Sequence, residues 1–309
     1  MKRILASLLA LWFAYVPAHA GSMALLGSGS VTGGGGGGGG YTGPGDTVAS
    51  NWKAWWGLRA FSAAYAAPGN NPAIDVQTTG GGSNTTINIL TDGSLDVASL
   101  ATWIGLHGTA VVVKLWDQSG NGNHLTNSFG GSPTIQNGSV TGFSNTARPA
   151  VVFAGAQSVH TPNSSSVLNP ALTYYGTFIV PGTGESGIMG SSTAASAELI
   201  SNNSADTINI YANSAAVSKA ATHNVWHTGQ GLFAATGTNS LVNVDGVDGT
   251  TGTSPGTFGW PSGSPVVLGV GNFGDFFTGN WVEGGVNASD YGSTARGTIN
   301  SQAKTWWTY

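Results

Sequence analysis

The chain has 309 residues, of which only 7% are charged and 50 are glycine. Average globular proteins carry roughly 25% charged residues, so this surface must be built largely from Ser, Thr, Asn and Gly. The absence of cysteine excludes disulfides, thiolate metal sites and cysteine nucleophiles. The formal net charge of −4 argues against a nucleic-acid partner, because phosphates are bound by clustered Lys and Arg.

The N-terminus has the composition of a secretory signal. Lys2 and Arg3 precede an apolar run over residues 4–16, and small residues surround a predicted cleavage point after Ala20. We therefore predict a signal peptide over residues 1–20 and a secreted, periplasmic or cell-surface protein. No later apolar segment is long enough to predict a membrane span.

An unbroken run of glycines follows, over residues 33–40. Residues without side chains cannot bury apolar surface, so residues 21–46 are predicted to be a flexible linker. No second change of composition follows, and residues 47–309 are predicted to form one domain.

Helical spacing of aromatic residues predicts a helix over residues 47–66. Asp96 is an N-cap residue before apolar positions and predicts a second helix over residues 96–104. Ser293 or Thr294 is expected to cap a last helix. Strands separated by turn residues are predicted over 110–116, 150–153, 172–180, 207–211, 225–229, 241–244, 266–270 and 280–286.

This pattern predicts an all-β fold, with two antiparallel sheets packed face to face and a few short peripheral helices.

A loop dense in oxygen-bearing side chains follows the strand predicted at 110–116. Asp117, Ser119 and Asn121 occupy the first ligand positions of a calcium loop, and Gly122 follows, but position twelve is Ser128 rather than Glu. A turn whose N–H groups bond to Asp117 explains the same residues. We expect the turn, with calcium as the open alternative and no other cofactor.

Carboxylates are scarce enough to be informative. A glycosidase needs two, one that holds a proton and one that is ionised. Asp275 and Glu283 flank one turn, so paired strands around that turn would bring them together. The alternative is that Asp275 ends a turn and Glu283 is an ordinary strand residue.

Aromatic side chains in loops are candidates for contact with sugar rings. Trp260 lies in one loop-like stretch and the consecutive residues Phe276 and Phe277 lie in another, so they could form an exposed platform.

The first half of the chain contains four stretches in a characteristic order: 56–65 (WGLRAFSAAY), 72–76 (PAIDV), 95–100 (LDVASL) and 115–126 (LWDQSGNGNHLT). In this order they resemble the catalytic domain of α-L-arabinofuranosidase B, glycoside hydrolase family 54. The stretches 268–271 (LGVG) and 279–284 (GNWVEG) are similar to that family, and equally to laminin-G and concanavalin A-like lectin domains.

The resemblance implies a concanavalin A-like jelly-roll sandwich and a carbohydrate partner, such as an arabinose-containing polysaccharide. It also implies a retaining mechanism, with a glutamate nucleophile in an Asp-x-Glu-Asn stretch and an acid in a Gly-Asp pair. Gly274 and Asp275 look like the acid motif. This chain has no Asp-x-Glu-Asn and lacks the family's adjacent cysteine pair; Glu198 and Asp206 are the nearest acids.

Three hypotheses follow for the function. The missing nucleophile motif favours an exported glycan-binding protein, with Trp260, Gly274 and Phe276 contacting the sugar. The alternative is a divergent α-L-arabinofuranosidase with Asp275 as general acid and Glu198 or Glu283 as nucleophile. A phage-like or surface structural or adhesion protein is a further alternative.

Overall fold

The computed structural model describes residues 40–129, 131–162, 172–180, 185–191, 198–202, 205–212, 215–234, 239–250, 265–271 and 274–309. The predicted signal peptide and most of the glycine run lie outside these residues, as does Trp260. Among the residues described, no helix has the length and apolar character needed to cross a membrane.

Four helices are present in the described residues: α1 (Pro44–Thr47), α2 (Ala63–Ala66), α3 (Val97–His107) and α4 (Gly292–Trp307). Helix α3 confirms the prediction, since the carboxylate of Asp96 caps it by accepting a hydrogen bond from the Ser99 N–H at 3.0 Å. Helix α4 begins before the predicted caps: its N-cap residue is Tyr291, whose side chain makes no capping hydrogen bond.

The strands are β1 (Trp52–Gly57), β2 (Asn71–Thr78), β3 (Asn84–Ile89), β4 (Ala110–Leu115), β5 (Leu125–Phe129), β6 (Thr134–Gln136), β7 (Ala150–Ala154), β8 (Ser158–His160), β9 (Leu172–Ile179), β10 (Glu185–Ser191), β11 (Glu198–Asn202), β12 (Thr207–Ala212), β13 (Ala215–Ala220), β14 (Trp226–Phe233), β15 (Leu241–Val244), β16 (Val247–Asp248), β17 (Val266–Leu268) and β18 (Thr278–Asn287).

The helix predicted over residues 47–66 is wrong. Residues 52–57 form β1, which pairs with β18, and the helical residues are limited to Thr47 at the end of α1 and the four residues of α2. Both faces of β1 are covered, so Trp52, Trp55 and Trp56 are all buried. A strand buried on both faces shows no alternation, and its aromatic residues imitate helical spacing.

Antiparallel pairing arranges the strands in two layers. Sheet I has the order β1–β18–β9–β14–β15–β16, with β7 beside the first part of β18. Sheet II has the order β3–β2–β4–β5–β8–β17–β10–β11–β12–β13. Strand β6 joins the layers by pairing with β4 and β7.

The two sheets pack face to face, which confirms the predicted β-sandwich. A Cβ atom on Gly231 of sheet I would lie 2.2 Å from Ile210 and 3.6 Å from Leu199, both of sheet II. A Cβ on Gly284 would lie 3.0 Å from Met189 in the same way. Because successive side chains of a strand point to opposite faces, Glu198, next to Leu199, and Tyr211, next to Ile210, point away from sheet I.

The outer face of sheet I is covered by α4 and by aromatic side chains. Trp52, Trp55, Tyr175 and Ile299 form a buried cluster there. The aromatic cover lies close to the sheet, because a Cβ on Gly285 would lie 2.9 Å from the rings of Trp52 and Trp55. The same Cβ would lie 2.7 Å from the Ala54 carbonyl oxygen of the adjacent strand β1.

Polar groups are buried beneath the same cover. Arg59 Nη2 donates to Glu283 Oε1 at 2.8 Å, and Arg59 Nε donates to Glu283 Oε2. The hydroxyl of Tyr175 donates to Glu283 Oε1 at 2.7 Å. Both members of the ion pair are almost fully buried, so each neutralises a charge that water cannot reach.

The described end of the predicted linker, residues 40–46, packs on the domain. Tyr41 is buried and its hydroxyl donates to the Ala60 carbonyl, while Gly45 N–H donates to the Phe61 carbonyl at 2.8 Å. The sequence did not predict this packing, because the glycine run ends at residue 40 and no change of composition separates residues 41–46 from the linker. The boundary at residue 47 stays a prediction.

Substitution of Gly285 by Ala should destabilise the protein, because its methyl group would overlap Ala54, Trp52 and Trp55. We expect the free energy of unfolding in urea to fall by about 1 to 3 kcal/mol. Gly297 is the matched control, since it lies within α4 and a Cβ there meets no atom within 4 Å. Gly297→Ala should gain up to about 1 kcal/mol of helix propensity. Equal stability of G285A and the wild type would contradict the packing described for β1 and β18.

Candidate active site

Glu198 is a buried carboxyl group at the beginning of β11. Its side chain points away from sheet I, because the next residue, Leu199, faces that sheet. The side chain has no exposed surface, yet neither carboxyl oxygen has a hydrogen-bond partner within the part of the chain that the structure describes. Such a group has lost its hydration without replacement, which is costly for the ionised form.

The segment that contains Asp275 lies against Glu198. The Asp275 carbonyl accepts hydrogen bonds from Gly187 N–H at 2.9 Å and from Gly271 N–H at 3.0 Å. A Cβ on Gly271 would lie 3.2 Å from Glu198 Oε2, and a Cβ on Gly187 would lie 1.8 Å from Gly271 N. Two glycines thus permit the backbone around Asp275 to approach the buried carboxyl group.

A β-bulge contributes to this arrangement. The register of β10 against β11 shifts between Gly187 and Met189. Met189 faces sheet I, as its contact with Gly284 shows, whereas Gly187 meets the 271–275 segment. A bulge changes the direction of residues along one strand, so it turns Gly187 toward the outer face.

The environment of Glu198 favours its neutral form. Burial, as the largest cause, together with the charges of Asp275 and Glu185, raises the pKa of the Glu198 carboxyl to about 8. The side chain therefore holds a proton at neutral pH. Asp275 is only half-buried, so a buried proton donor lies near a carboxylate that solvent can reach.

Two other predicted residues lie beside this pair. Gly274 is exposed with φ +83°, a value that a side chain would disfavour. Phe276 is half-buried and bridges to Gly187 and Val270. The structure thus brings Glu198 together with Asp275, Gly274 and Phe276, while Trp260 lies outside the described residues.

Glu283 lies on the other side of the sandwich. Residues 278–287 form one strand, so the turn expected between Asp275 and Glu283 does not exist and cannot pair them. Gly284 faces sheet II, so Glu283 faces the cover of sheet I, where Arg59 and Tyr175 occupy its oxygens. Its surroundings support a structural role.

The loop after β4 is the predicted turn. Asp117 Oδ1 accepts hydrogen bonds from Trp55 N–H at 3.0 Å, from Ser119 N–H at 2.9 Å and from the Ser119 hydroxyl at 2.7 Å. Oδ2 accepts from Asn123 N–H at 2.9 Å, and Asn121 donates to the Trp52 carbonyl. The loop therefore fastens β1 to the end of β4.

Within the described ranges, no three His, Asp or Glu side chains are arranged to hold a metal ion. The proton donors that surround Asp117 occupy the oxygens that a calcium ion would need.

Replacement of Glu198 by Gln should stabilise the folded protein in a pH-dependent way. Between the ordinary value of 4.5 and about 8, the unfolded chain has lost the Glu198 proton while the folded chain keeps it. Wild-type stability therefore falls as pH rises through this window, and E198Q escapes that loss. The difference in free energy of unfolding between E198Q and the wild type should grow with pH to at most about 5 kcal/mol and become constant above about pH 8. Urea titrations at several pH values would measure it.

Glu283→Gln is the matched control, since Glu283 is equally buried. It should lose about 3 to 5 kcal/mol, because it leaves the charge of Arg59 uncompensated. A fall in stability of E198Q similar to that of E283Q would show that Glu198 has stabilising partners and would contradict the site described.

No protein-family model matches the sequence, and no curated protein matches it. Solved structures do match. An arabinofuranosidase complexed with arabinofuranosyl-α-1,2-xylobiose is 16% identical, with a TM-score of 0.66 over 84% of this chain. A family 54 α-L-arabinofuranosidase soaked with a cyclic sulfate inhibitor is 15% identical, with a TM-score of 0.65 over the same share.

A mutant of a family 54 enzyme soaked with 4-nitrophenyl α-L-arabinofuranoside gives 15% identity and a TM-score of 0.63. The chain covers 64% of the length of each of these three proteins. At such identities the likeness establishes a shared fold, and this chain has the β-sandwich fold of those arabinofuranosidases.

Proposed function

We propose that this protein is a glycoside hydrolase that releases terminal α-L-arabinofuranose, with Glu198 and Asp275 as its two carboxyl groups. The observation that carries the proposal is the approach of Asp275 to Glu198, whose pKa is raised to about 8. Acid and base pairs of this kind occur where environments separate two carboxyl groups in pKa. The arabinofuranosidase fold supports the choice of substrate.

The chemistry needs one proton shared by the pair. The protonated carboxyl gives its proton to the glycosidic oxygen as the bond from that oxygen to the anomeric carbon breaks. The ionised carboxylate either attacks that carbon or removes a proton from the water that does so. Hydrolysis consumes one water and returns both groups to their starting state.

The resemblance to family 54 implies the acid role for Asp275 and leaves the nucleophile open between Glu198 and Glu283, of which Glu198 is the one near Asp275. Burial, however, favours the proton on Glu198 at neutral pH. Either arrangement of roles requires that one of the two carboxyl groups holds a proton. We propose this singly protonated pair as the active form, which loses its proton as pH rises through about 8.

Glycan binding without turnover is the second candidate function. It is favoured by the complete burial of Glu198, since a substrate must reach the carboxyl group of a catalytic residue. It also fits the missing Asp-x-Glu-Asn stretch. Under either candidate, a role outside the cytoplasm, reached through the predicted signal peptide, would place the protein where plant or microbial polysaccharides occur.

Glu198→Gln and Asp275→Asn should each lower kcat/KM for 4-nitrophenyl α-L-arabinofuranoside by roughly 10²- to 10⁴-fold, since each removes one member of the pair. Glu185→Gln is the control, because Glu185 is exposed and acts on Glu198 only through its charge. It should keep kcat/KM within a few-fold of wild type.

Turnover retained in both E198Q and D275N would overturn the proposed pair. No turnover by the wild type, together with saturable binding of an arabinofuranosyl oligosaccharide, would instead support the second candidate.

A further inference from the structure

The residue paired with Glu198 on the neighbouring strand is Tyr211. These two residues are directly opposite in the register of β11 and β12. The next pair, Leu199 and Ile210, faces sheet I, because a Cβ on Gly231 would meet both side chains. Glu198 and Tyr211 therefore share the outer face of sheet II, where opposite Cβ atoms lie about 4.5 to 5.5 Å apart.

Small residues flank this pair along the row across the sheet. On one side, continuing the register of Met189 with Leu199 by one residue places Gly190 beside Glu198. On the other side, Tyr211 pairs with Ala216 of β13, whose side chain is exposed. The phenol ring, which is half-buried, is thus the one aromatic group among the described residues of this row.

We infer that Tyr211 is a sugar-binding residue, whose ring packs on the C–H face of the arabinofuranosyl group that the site accepts. The inference rests on the proposed function and deepens it. The Asp275 segment approaches Glu198 from the side of β10, whereas Tyr211 lies on the side of β12. A sugar held over Glu198 would therefore have the segment that contains Asp275 on one side and an aromatic ring on the other.

The physical contribution of Tyr211 is flat apolar contact at small entropic cost. A tyrosine side chain has two rotatable bonds and presents a large apolar surface with one polar end. Because this contact is equal in the bound substrate and in the transition state, its loss should raise KM and leave kcat unchanged.

The test compares Tyr211→Leu, which keeps apolar bulk without a flat ring, with Tyr211→Phe, which keeps the ring. Both variants are first checked for wild-type thermal unfolding. For 4-nitrophenyl α-L-arabinofuranoside, Y211L should raise KM roughly 3- to 10-fold with kcat within about 2-fold, while Y211F stays near wild type. Calorimetry on the double variants, in which each Tyr211 substitution is added to E198Q, should give the same fold-changes in Kd relative to E198Q alone.

The outcomes separate this inference from the proposed function. If E198Q abolishes turnover but Y211L leaves KM and Kd unchanged, the role of Tyr211 is overturned and the hydrolase stands. If E198Q keeps turnover while Y211L still raises Kd, the catalytic pair is wrong and the sugar contact is supported. A fall in the kcat of Y211L without a change in its KM also overturns the inference. So does the absence of binding of 4-nitrophenyl α-L-arabinofuranoside by E198Q.

Discussion

The buried ion pair between Arg59 and Glu283 is the interaction on which the arrangement of sheet I depends. It joins the chain after β1 to the middle of β18, and Tyr175 adds β9 to the same group. Each charge is tolerable in the interior only because the other is present. The pair and the aromatic residues under α4 close the outer face of sheet I. Glu198, in contrast, lies on the outer face of sheet II.

Glu198 and Glu283 are equally buried, but they affect the stability of the fold in opposite ways. Glu283 has a guanidinium and a phenol hydroxyl on its oxygens, so its charge is compensated. Glu198 has no hydrogen-bonding partner in the described residues, and the nearby charges of Asp275 and Glu185 oppose its ionisation. A group that costs stability in this way is typical of functional sites, where activity depends on a perturbed carboxyl group.

The sequence was sufficient for the sandwich, for the helix capped by Asp96 and for the turn around Asp117, because short-range patterns determine all three. It failed where tertiary contacts override local spacing. Trp52, Trp55 and Trp56 imitate a helix because both faces of β1 are covered. The approach of Asp275 to Glu198 depends on Gly187 and Gly271, which are far apart in sequence and have no local signal in a glycine-rich chain.

Glu198 holds a proton at neutral pH because its carboxyl group is desolvated beside the segment that contains Asp275. The chain contains three glutamates, so protein labelled with ¹³C at the glutamate carboxyl carbon gives three resonances, assignable with E185Q, E198Q and E283Q. The Glu198 resonance should titrate near pH 8, and Asp275→Asn should lower its midpoint. A midpoint near the ordinary value of 4.5, unchanged in D275N, would contradict a protonated Glu198 at neutral pH.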